Sequence, residues 1–227
     1  MKERIAIVAG CRTPMVKAGT LFKDISAEYL VARPIRDLLY ASGVKADEIN
    51  DVIVGNCAQP VHAANMARVA ALIAGLPKTT TALTVHRNCA SGMEAITSAS
   101  MQLLLNRAEC IIAAGVESMS NIPLLYNADM TSWFVQLFSA KKIHHKLRLL
   151  LKLRPHFFKP IIGLLAGLKD PICNQLMGQT AENLAQEFNI SREEQDAYAL
   201  NSHVKALDAM DHLRFKSEIL PVPVDSK

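Results

Sequence analysis

The chain has 227 residues, 50% hydrophobic and 20% charged, which is ordinary for globular proteins and enough for one or two domains with a sizeable core. This composition excludes a disordered tail, a disulfide scaffold and a collagen-like fibre. The net charge of +4 is uneven, because residues 130–169 contain eight Lys and Arg and no Asp or Glu, whereas the remainder has 17 basic and 21 acidic residues. Outside this basic insert the protein is mildly acidic, and this charge distribution gives little support to a nucleic-acid-binding function.

Strand and helix signals alternate over the first half of the chain. Short apolar or β-branched runs predict strands at 4–9, 51–55, 81–87 and 109–115. Helical patterns cover 26–42, 65–75 and 90–106. Pro34 lies inside the first helical pattern and is expected to kink it or to mark its true start. The alternation predicts an α/β fold with a parallel sheet covered by helices on both faces.

The pattern changes after Gly115. An irregular and then basic, apolar stretch precedes two predicted helices, at 179–188 and 191–213. The second begins with a capping box, Ser191 followed three residues later by Glu194. The last run, 215–224, has two prolines and is expected to form an edge strand.

These signals predict two regions. An α/β core is expected over residues 1–118, and a second region over 119–227 would hold the two helices and a basic insert at about 131–169. Within the insert, cationic side chains recur every three or four residues: Lys141, His145, Arg148, Lys152, His156 and Lys159. This spacing predicts an amphipathic helix with a cationic stripe, limited by Pro155.

Cysteine usage favours free thiols in a reducing, cytoplasmic compartment. Five cysteines are scattered without C-x-x-C spacing, and the opening MKERIAIVAG lacks the apolar core and cleavage site of a signal peptide. We therefore expect no zinc ribbon and no other metal site. No run reaches the roughly 18 apolar residues of a transmembrane helix, so no membrane span is predicted.

Cys89 is the candidate nucleophile. It lies where a predicted strand turns into a helix, and the unpaired N–H groups of a helix N-terminus would stabilise a thiolate there. Small neighbours, Ala90 to Gly92, would let a substrate group approach. The competing interpretation of a lone Cys is a small buried hydrophobe, which suits the other four: Cys11, Cys57, Cys110 and Cys173. His86 is expected on the opposite side of the strand from Cys89, in a packing role.

The run RNCASGMEA at 87–95 resembles the nucleophile motif of the thiolases, the family of acetyl-CoA acetyltransferases and 3-ketoacyl-CoA thiolases. Other blocks resemble family blocks in family order: GCRTP at 10–14, VGNCAQ at 54–59, NMAR at 65–68, GVESMS at 115–120, MGQTAEN at 177–183 and ISREEQD at 190–196. Together they cover nearly the whole chain. The resemblance implies a thiolase-like layered α/β half-fold, a mixed sheet covered by helices, with an inserted helical loop region.

The resemblance also implies acyl transfer between thioesters. Cys89 would take the acyl group, and CoA or the carbanion of acetyl-CoA would remove it, by 3-ketoacyl-CoA thiolysis or Claisen condensation. A thiolate suits both directions because it is a good nucleophile and a good leaving group. The Cys89 N–H is the expected donor to the oxyanion. The family implies coenzyme A as substrate without another cofactor. It also implies that Met177 and Gly178 lie beside the acyl and pantetheine pocket. Leu176 stands where short-chain biosynthetic members of the family usually have a His.

The family's downstream Gly-His-Pro and Cys-Gly-Gly blocks, which carry a His and a second Cys, do not occur in the sequence. We therefore expect an N-terminal half with the C-terminal half absent and needed for turnover, so that the apolar helix after Cys89 would require a partner. The alternative is a non-catalytic thiolase acting as a binding or scaffold protein. Ketoacyl synthases mount a similar Cys, but the blocks at 115–120 and 177–183 favour a thiolase.

The basic insert resembles a segment of the thiolase subunit of fatty-acid β-oxidation trifunctional complexes, which lies near the membrane. We expect residues 131–169 to contact the inner membrane surface peripherally or a partner subunit. Two alternatives stay open, namely binding of the CoA phosphates and a solvated face over a core. The family also implies at least a dimer.

Overall fold

The computed structural model describes residues 4–224. Contacts divide the chain into two compact units, the first formed by the chain up to Asn121 together with the segment from Ser202 onward, and the second by Ile122–Asn201. The first unit contains, in chain order, α1 (Ala27–Ser42), β1 (Asp51–Gly55), α2 (Met66–Ala74), β2 (Thr81–Val85), α3 (Ser91–Leu104) and β3 (Ile111–Gly115).

The three strands form a parallel sheet in the order β2-β1-β3. In this register Gly55, the last residue of β1, lies opposite Val85 on one side and Gly115 on the other. The carboxyl ends of all three strands therefore meet at one edge, which is where ligand sites form in parallel α/β sheets.

Helices cover both faces of this sheet, as predicted. Side chains alternate along β1, so that Val52 and Val54 join the larger core with α1 and α2, whereas Ile53 joins Ala95 and Ala99 of α3 on the opposite face. All five residues of β1 are buried because the strand is central and covered on both faces.

The predicted helix boundaries of the first unit hold closely. The first helix begins after Ser26 and ends at Gly43, whose φ of 71° supplies the left-handed C-cap. Pro34 lies inside the helix rather than at its start. Asn65 caps α2 by accepting the Arg68 N–H at 3.1 Å.

Two predicted strands are wrong. Residues 4–9 form no strand, because a β-branched run also needs a neighbouring strand to pair with. Ile7 and Val8 are exposed instead. The run 215–224 makes only an isolated bridge between Ile219 and Arg12. The Arg12 N–H donates to the Glu218 carbonyl at 2.8 Å and the Leu220 N–H donates to the Arg12 carbonyl at 2.8 Å.

This bridge explains why the contacts group the end of the chain with the first unit. The sequence placed residues 119–227 in one region, whereas the segment from Ser202 belongs with the chain up to Asn121. The Arg12 guanidinium also pairs with the Glu218 carboxylate at 2.8 Å and lies 5.2 Å from the centre of the Phe215 ring. Such long-range pairing leaves no local signal in the sequence.

The second unit contains the paired strands β4 (Leu124–Leu125) and β5 (Ile161–Ile162), which are antiparallel. Its helices are α4 (Ala128–Ser139), α5 (Ile143–Leu150), α6 (Gly163–Gly167), α7 (Met177–Glu187) and the start of α8 (Arg192–Asp211). The Trp133 indole N–H donates to the Leu149 carbonyl at 2.8 Å and joins α4 to α5.

The cationic helix, expected to be limited by Pro155, ends earlier, at Leu150. After α5 the chain turns, and a separate 3₁₀ turn, Pro155–Phe158, begins at Pro155, where the sequence predicted the limit of the helix. The cationic side chains from Lys141 to Lys159 are nevertheless exposed. Within residues 4–224, no helix combines the length and apolar character needed to cross a membrane.

Candidate active site

Cys89 lies in the turn between β2 and α3, at the carboxyl edge of the sheet. The helix begins at Ser91 with Ala90 as its N-cap, so Cys89 directly precedes the cap, and its side chain is exposed. The preceding Asn88 has a φ of 46°, in the left-handed region that Asn tolerates better than most residues. The sequence prediction of a cysteine next to a helix start is confirmed, while its role stays a prediction.

Two glycines allow α3 to start directly against the strand ends. A Cβ at Gly55 would lie 2.2 Å from the backbone carbon and oxygen of Ser91, and a Cβ at Gly115 would lie 2.9 Å from the Gly92 Cα. Real Cβ atoms do not approach backbone this closely, so any larger residue would push the helix start outward. These glycines therefore determine how close the start of α3, and with it Cys89, lies to the sheet edge.

The Asn88 carbonyl is held by three donors. The Ser91 N–H donates to it at 3.0 Å, the Ser91 hydroxyl at 2.6 Å and the Cys57 thiol at 2.8 Å. Ser91 is buried, and its hydroxyl also accepts the Arg87 N–H at 2.8 Å. The peptide that joins Asn88 to Cys89 is therefore fixed on its carbonyl side.

Glu117, two residues after β3, organises the chain that follows β1. One carboxylate oxygen accepts the Cys57 N–H at 2.9 Å, and the other accepts the Ala58 N–H at 3.0 Å and the Asn56 side-chain amide at 3.0 Å. Asn56 is buried and also donates to the Val116 carbonyl at 2.8 Å. The ends of β1 and β3 are thus tied together beside the Cys89 turn.

The environment of Cys57 keeps its thiol protonated. Partial burial raises the pKa of Cys57, and the neighbouring Glu117 carboxylate adds to this, outweighing the hydrogen bond with Ser91 that acts in the opposite direction. A protonated thiol can donate a hydrogen bond, in keeping with its contact to the Asn88 carbonyl.

The other cysteines only partly fit the expectation of buried filler. Cys11 and Cys110 are partly buried, and burial raises the pKa of each thiol. Cys110 packs against the larger core, as expected. Cys173 is exposed, so that expectation is wrong for it.

The packing role expected for His86 is also wrong. The residue is exposed just beyond β2, and its ring nitrogen Nδ1 accepts the Asn88 N–H at 3.3 Å. The side chain therefore supports the turn from outside rather than filling the core.

Met177 and Gly178 open α7 in the second unit, and both are exposed. The Met177 N–H donates to the Leu168 carbonyl at 3.3 Å, and a Cβ at Gly178 would meet no atom within 4 Å. Their assignment to a CoA pocket stays a prediction. Among residues 4–224, no three His, Cys, Asp or Glu side chains converge in a way that could hold a metal ion.

Sequence reasoning missed Cys57 and Glu117 as parts of this site. Both follow strands of the parallel sheet, so the tendency of sites to form at carboxyl strand ends was the signal that could have found them. What the sequence does not reveal is the pairing order that brings residues 57, 88 and 117 together.

Comparisons with known proteins point to one family. The family model of the thiolase N-terminal domain matches residues 5–227. A probable acetyl-CoA acyltransferase of Staphylococcus aureus is 35% identical over 225 residues, which are 99% of this chain and 52% of that protein. The mitochondrial trifunctional enzyme subunit beta of Rattus norvegicus is 36% identical over 227 residues, 99% of this chain and 46% of the relative.

A solved structure shows the same fold. The crystal structure of the Bacillus anthracis acetyl-CoA acetyltransferase superposes with a TM-score of 0.83 at 35% sequence identity, covering 97% of this chain and 51% of that one. The chain thus spans about half the length of these relatives.

Proposed function

The chain belongs to the thiolase family, and from this premise we propose that it carries the nucleophile of an acyl-CoA acyltransferase. The Cys89 thiolate attacks the 3-keto carbon of a 3-ketoacyl-CoA, the bond between C2 and C3 breaks, and acetyl-CoA leaves as its carbanion and takes up a proton. Free CoA then gives up its thiol proton and attacks the acyl-cysteine through its sulfur, which releases acyl-CoA and the Cys89 thiolate; this proton balances the one that acetyl-CoA takes up. The reverse sequence is a Claisen condensation.

One observation carries the proposal: an exposed thiol directly precedes the first turn of α3 at the carboxyl edge of a parallel sheet. A thioester can reach the exposed Cys89 thiol, and the N–H groups near the start of α3 can stabilise the negative charge that develops on the substrate oxygen. Coenzyme A enters this reaction as substrate, and we propose no resident metal or further cofactor. The C-terminal half of the family, with its His and second Cys, is proposed to be needed for turnover. Met177 and Gly178 are proposed to line the acyl and pantetheine pocket.

The test is acyl transfer to the protein itself. Incubation with acetoacetyl-CoA and with a longer 3-ketoacyl-CoA is expected to leave an acyl adduct that peptide mass spectrometry maps to Cys89. The adduct should be absent from Cys89→Ala and present in the matched control Cys173→Ala, which removes an exposed thiol of the second unit. The measurement is made on the chain alone and with the C-terminal part of the S. aureus relative added.

The opposite result favours the scaffold function. If Cys89 gains no adduct under either condition and iodoacetamide alkylates it no faster than Cys173, the protein is a non-catalytic binding protein and the proposal is wrong.

We also propose that the chain works as an oligomer. The outer side of α3 exposes large apolar side chains that the described residues leave uncovered: Met93, Ile96, Met101 and Leu104. Apolar surface of this kind marks association sites in soluble proteins. A sedimentation measurement that finds only monomer at micromolar concentration contradicts this proposal.

The insert at 131–169 supports a second proposal, peripheral contact with the inner surface of an anionic membrane, where a β-oxidation partner subunit would also dock. Exposed Lys and Arg accompany exposed apolar side chains on α5 and beyond it, including Ile143, Leu147, Leu151 and Phe158. With no acidic residue in this stretch, its charge complements anionic headgroups.

A further inference from the structure

We propose that Glu117 is a positioning residue for Cys89, acting through Cys57 on the peptide that presents the Cys89 N–H. The inference deepens the proposed function and rests on it, because it assumes that Cys89 is the acylated residue. It assigns a role to two side chains that support the turn carrying the nucleophile.

The first step links Glu117 to Cys57. Both carboxylate oxygens of Glu117 accept backbone N–H groups, one from Cys57 at 2.9 Å and one from Ala58 at 3.0 Å. Among residues 4–224, Glu117 takes part in none of the ion pairs. Its carboxylate is instead hydrogen-bonded by N–H groups. Hydrogen bonds to an ionised acceptor are shorter and stronger than neutral ones, which makes this carboxylate an effective clamp on the 57–58 backbone.

The second step links Cys57 to Asn88. With its backbone clamped, Cys57 directs its thiol to the Asn88 carbonyl at 2.8 Å. Burial keeps the thiol in the protonated form that donates. A residue 31 positions earlier in the chain therefore holds the carbonyl immediately before the nucleophile.

The third step follows from the geometry of the peptide bond. The described residues contain no cis peptide, so the Asn88 carbonyl and the Cys89 N–H point in opposite directions across one rigid plane. Fixing the carbonyl fixes the N–H. Since the Cys89 N–H is the expected oxyanion donor, its direction decides how well the tetrahedral intermediate is stabilised.

Two reactions of the Cys89 sulfur distinguish a positioning role of Glu117 from a merely structural one. Acylation by an acyl-CoA passes through an oxyanion and needs the N–H donor, whereas alkylation by iodoacetamide is a direct displacement that forms no oxyanion. A variant that misdirects the N–H should slow acylation and leave alkylation of Cys89 largely unchanged. General disorder of the turn would alter both.

The experiment compares these two rate constants, each mapped to Cys89 by peptide mass spectrometry, in the full chain. Glu117→Gln keeps the size of the side chain but replaces one N–H acceptor by a donor, and is expected to slow acylation about tenfold with alkylation within about twofold. The matched control is Glu109→Gln, which removes an exposed carboxylate beside the other end of β3 and should change neither rate.

A second pair of variants keeps the inference testable if Glu117→Gln does not fold. Cys57→Ala removes the donor from the β1 side among the three donors to the Asn88 carbonyl, and is expected to match Glu117→Gln. Cys57→Ser retains a hydroxyl donor and should recover most of the wild-type acylation rate.

Equal acylation rates in the wild type, Glu117→Gln and Cys57→Ala overturn the inference and leave the proposed function standing. A parallel loss of acylation and alkylation also overturns it, since the residues would then be structural only. Absence of acylation in the wild-type chain, both alone and with the C-terminal part of the S. aureus relative added, overturns the proposed function, and the inference falls with it.

Discussion

Gly55 has the tightest backbone environment near the candidate nucleophile. It ends the central strand, and the first turn of α3 lies directly against it. No side chain fits between the two backbones, so the residue type at position 55 is a requirement of the close approach. The same contact places Cys89 at the sheet edge.

Gly55→Ala should therefore destabilise the fold. Its Cβ would lie 2.2 Å from the Ser91 backbone, which cannot move without shifting α3. Overpacking of this kind costs about 1–3 kcal/mol, and we expect the upper end because the neighbour is backbone. The matched control is Gly167→Ala, where a Cβ meets nothing within 4 Å. Urea unfolding measures the difference, and equal midpoints for the two variants would refute this account of the contact.

At the scale of single residues, the sequence identifies Cys89 but not its supporting side chains. Cys89 stands out because its neighbours form a local strand-turn-helix pattern. Cys57 and Glu117 contact each other across 60 positions of the chain, and the Cys57 contact to Asn88 spans 31. Contacts this distant depend on strand order, which no short pattern encodes.

Among the elements, α8 has the clearest local start signal. The Ser191 hydroxyl accepts the Glu194 N–H at 3.2 Å, and the Glu194 carboxylate accepts the Ser191 N–H at 2.8 Å, the reciprocal pair that the sequence predicted. The two hydrogen bonds from Ser191 lower the pKa of Glu194. The cap therefore depends on pH.

Ser191→Ala should fray the first turn of α8 by about 1 kcal/mol, seen as faster amide exchange at residues 192–196. Because the folded pKa of Glu194 lies below its unfolded value, the carboxylate's contribution is present above the unfolded pKa and is lost as pH falls through the folded pKa. Glu194→Gln should keep the cap and remove this pH dependence. The control is the exposed neighbour Glu193→Gln; if it reproduces the effect of Glu194→Gln, the capping pair is not responsible.

Elements that failed to form show the limits of local propensity. Residues 4–9 have the composition of a strand, yet a strand is stabilised by hydrogen bonds to a neighbouring strand, and none pairs with them among the described residues. The cationic stripe at 141–159 has helical spacing up to Pro155, the predicted limit of the helix, but α5 already ends at Leu150. Periodicity predicted which cationic side chains are exposed better than it predicted where the helix ends.

For the molecule as a whole, charge is concentrated in one insert. Residues 130–169 hold eight of the 25 basic residues and no acidic one. The cationic side chains are exposed both on α5 and on either side of it. The membrane proposal therefore depends on exposed charge and apolar area rather than on one helix.

Co-sedimentation with vesicles that contain phosphatidylglycerol tests this proposal. Binding is expected at low salt, is weakened by high salt, and should fall at least about 100-fold when Lys142, Lys146 and Lys152 are changed to Glu, since each cation near an anionic surface contributes about 1 kcal/mol. The matched control changes three exposed lysines outside the insert to Glu: Lys17, Lys45 and Lys78. Equal binding to neutral and anionic vesicles, or equal loss in both triple variants, contradicts membrane contact by the insert.

The amino-acid sequence alone determined the α/β class, most element boundaries in the first unit, the capping box of α8, the family and the candidate nucleophile. These follow from hydrophobic periodicity, capping residues, glycine positions and contiguous motifs, all of which act over a few neighbouring residues. The tertiary structure alone decided that Glu117 and Cys57 support the Cys89 turn, and that Arg12 groups the end of the chain with the first unit. The physical reason is that these hydrogen bonds and ion pairs form between residues far apart in the chain, and only the order and register of the folded strands bring them within bonding distance.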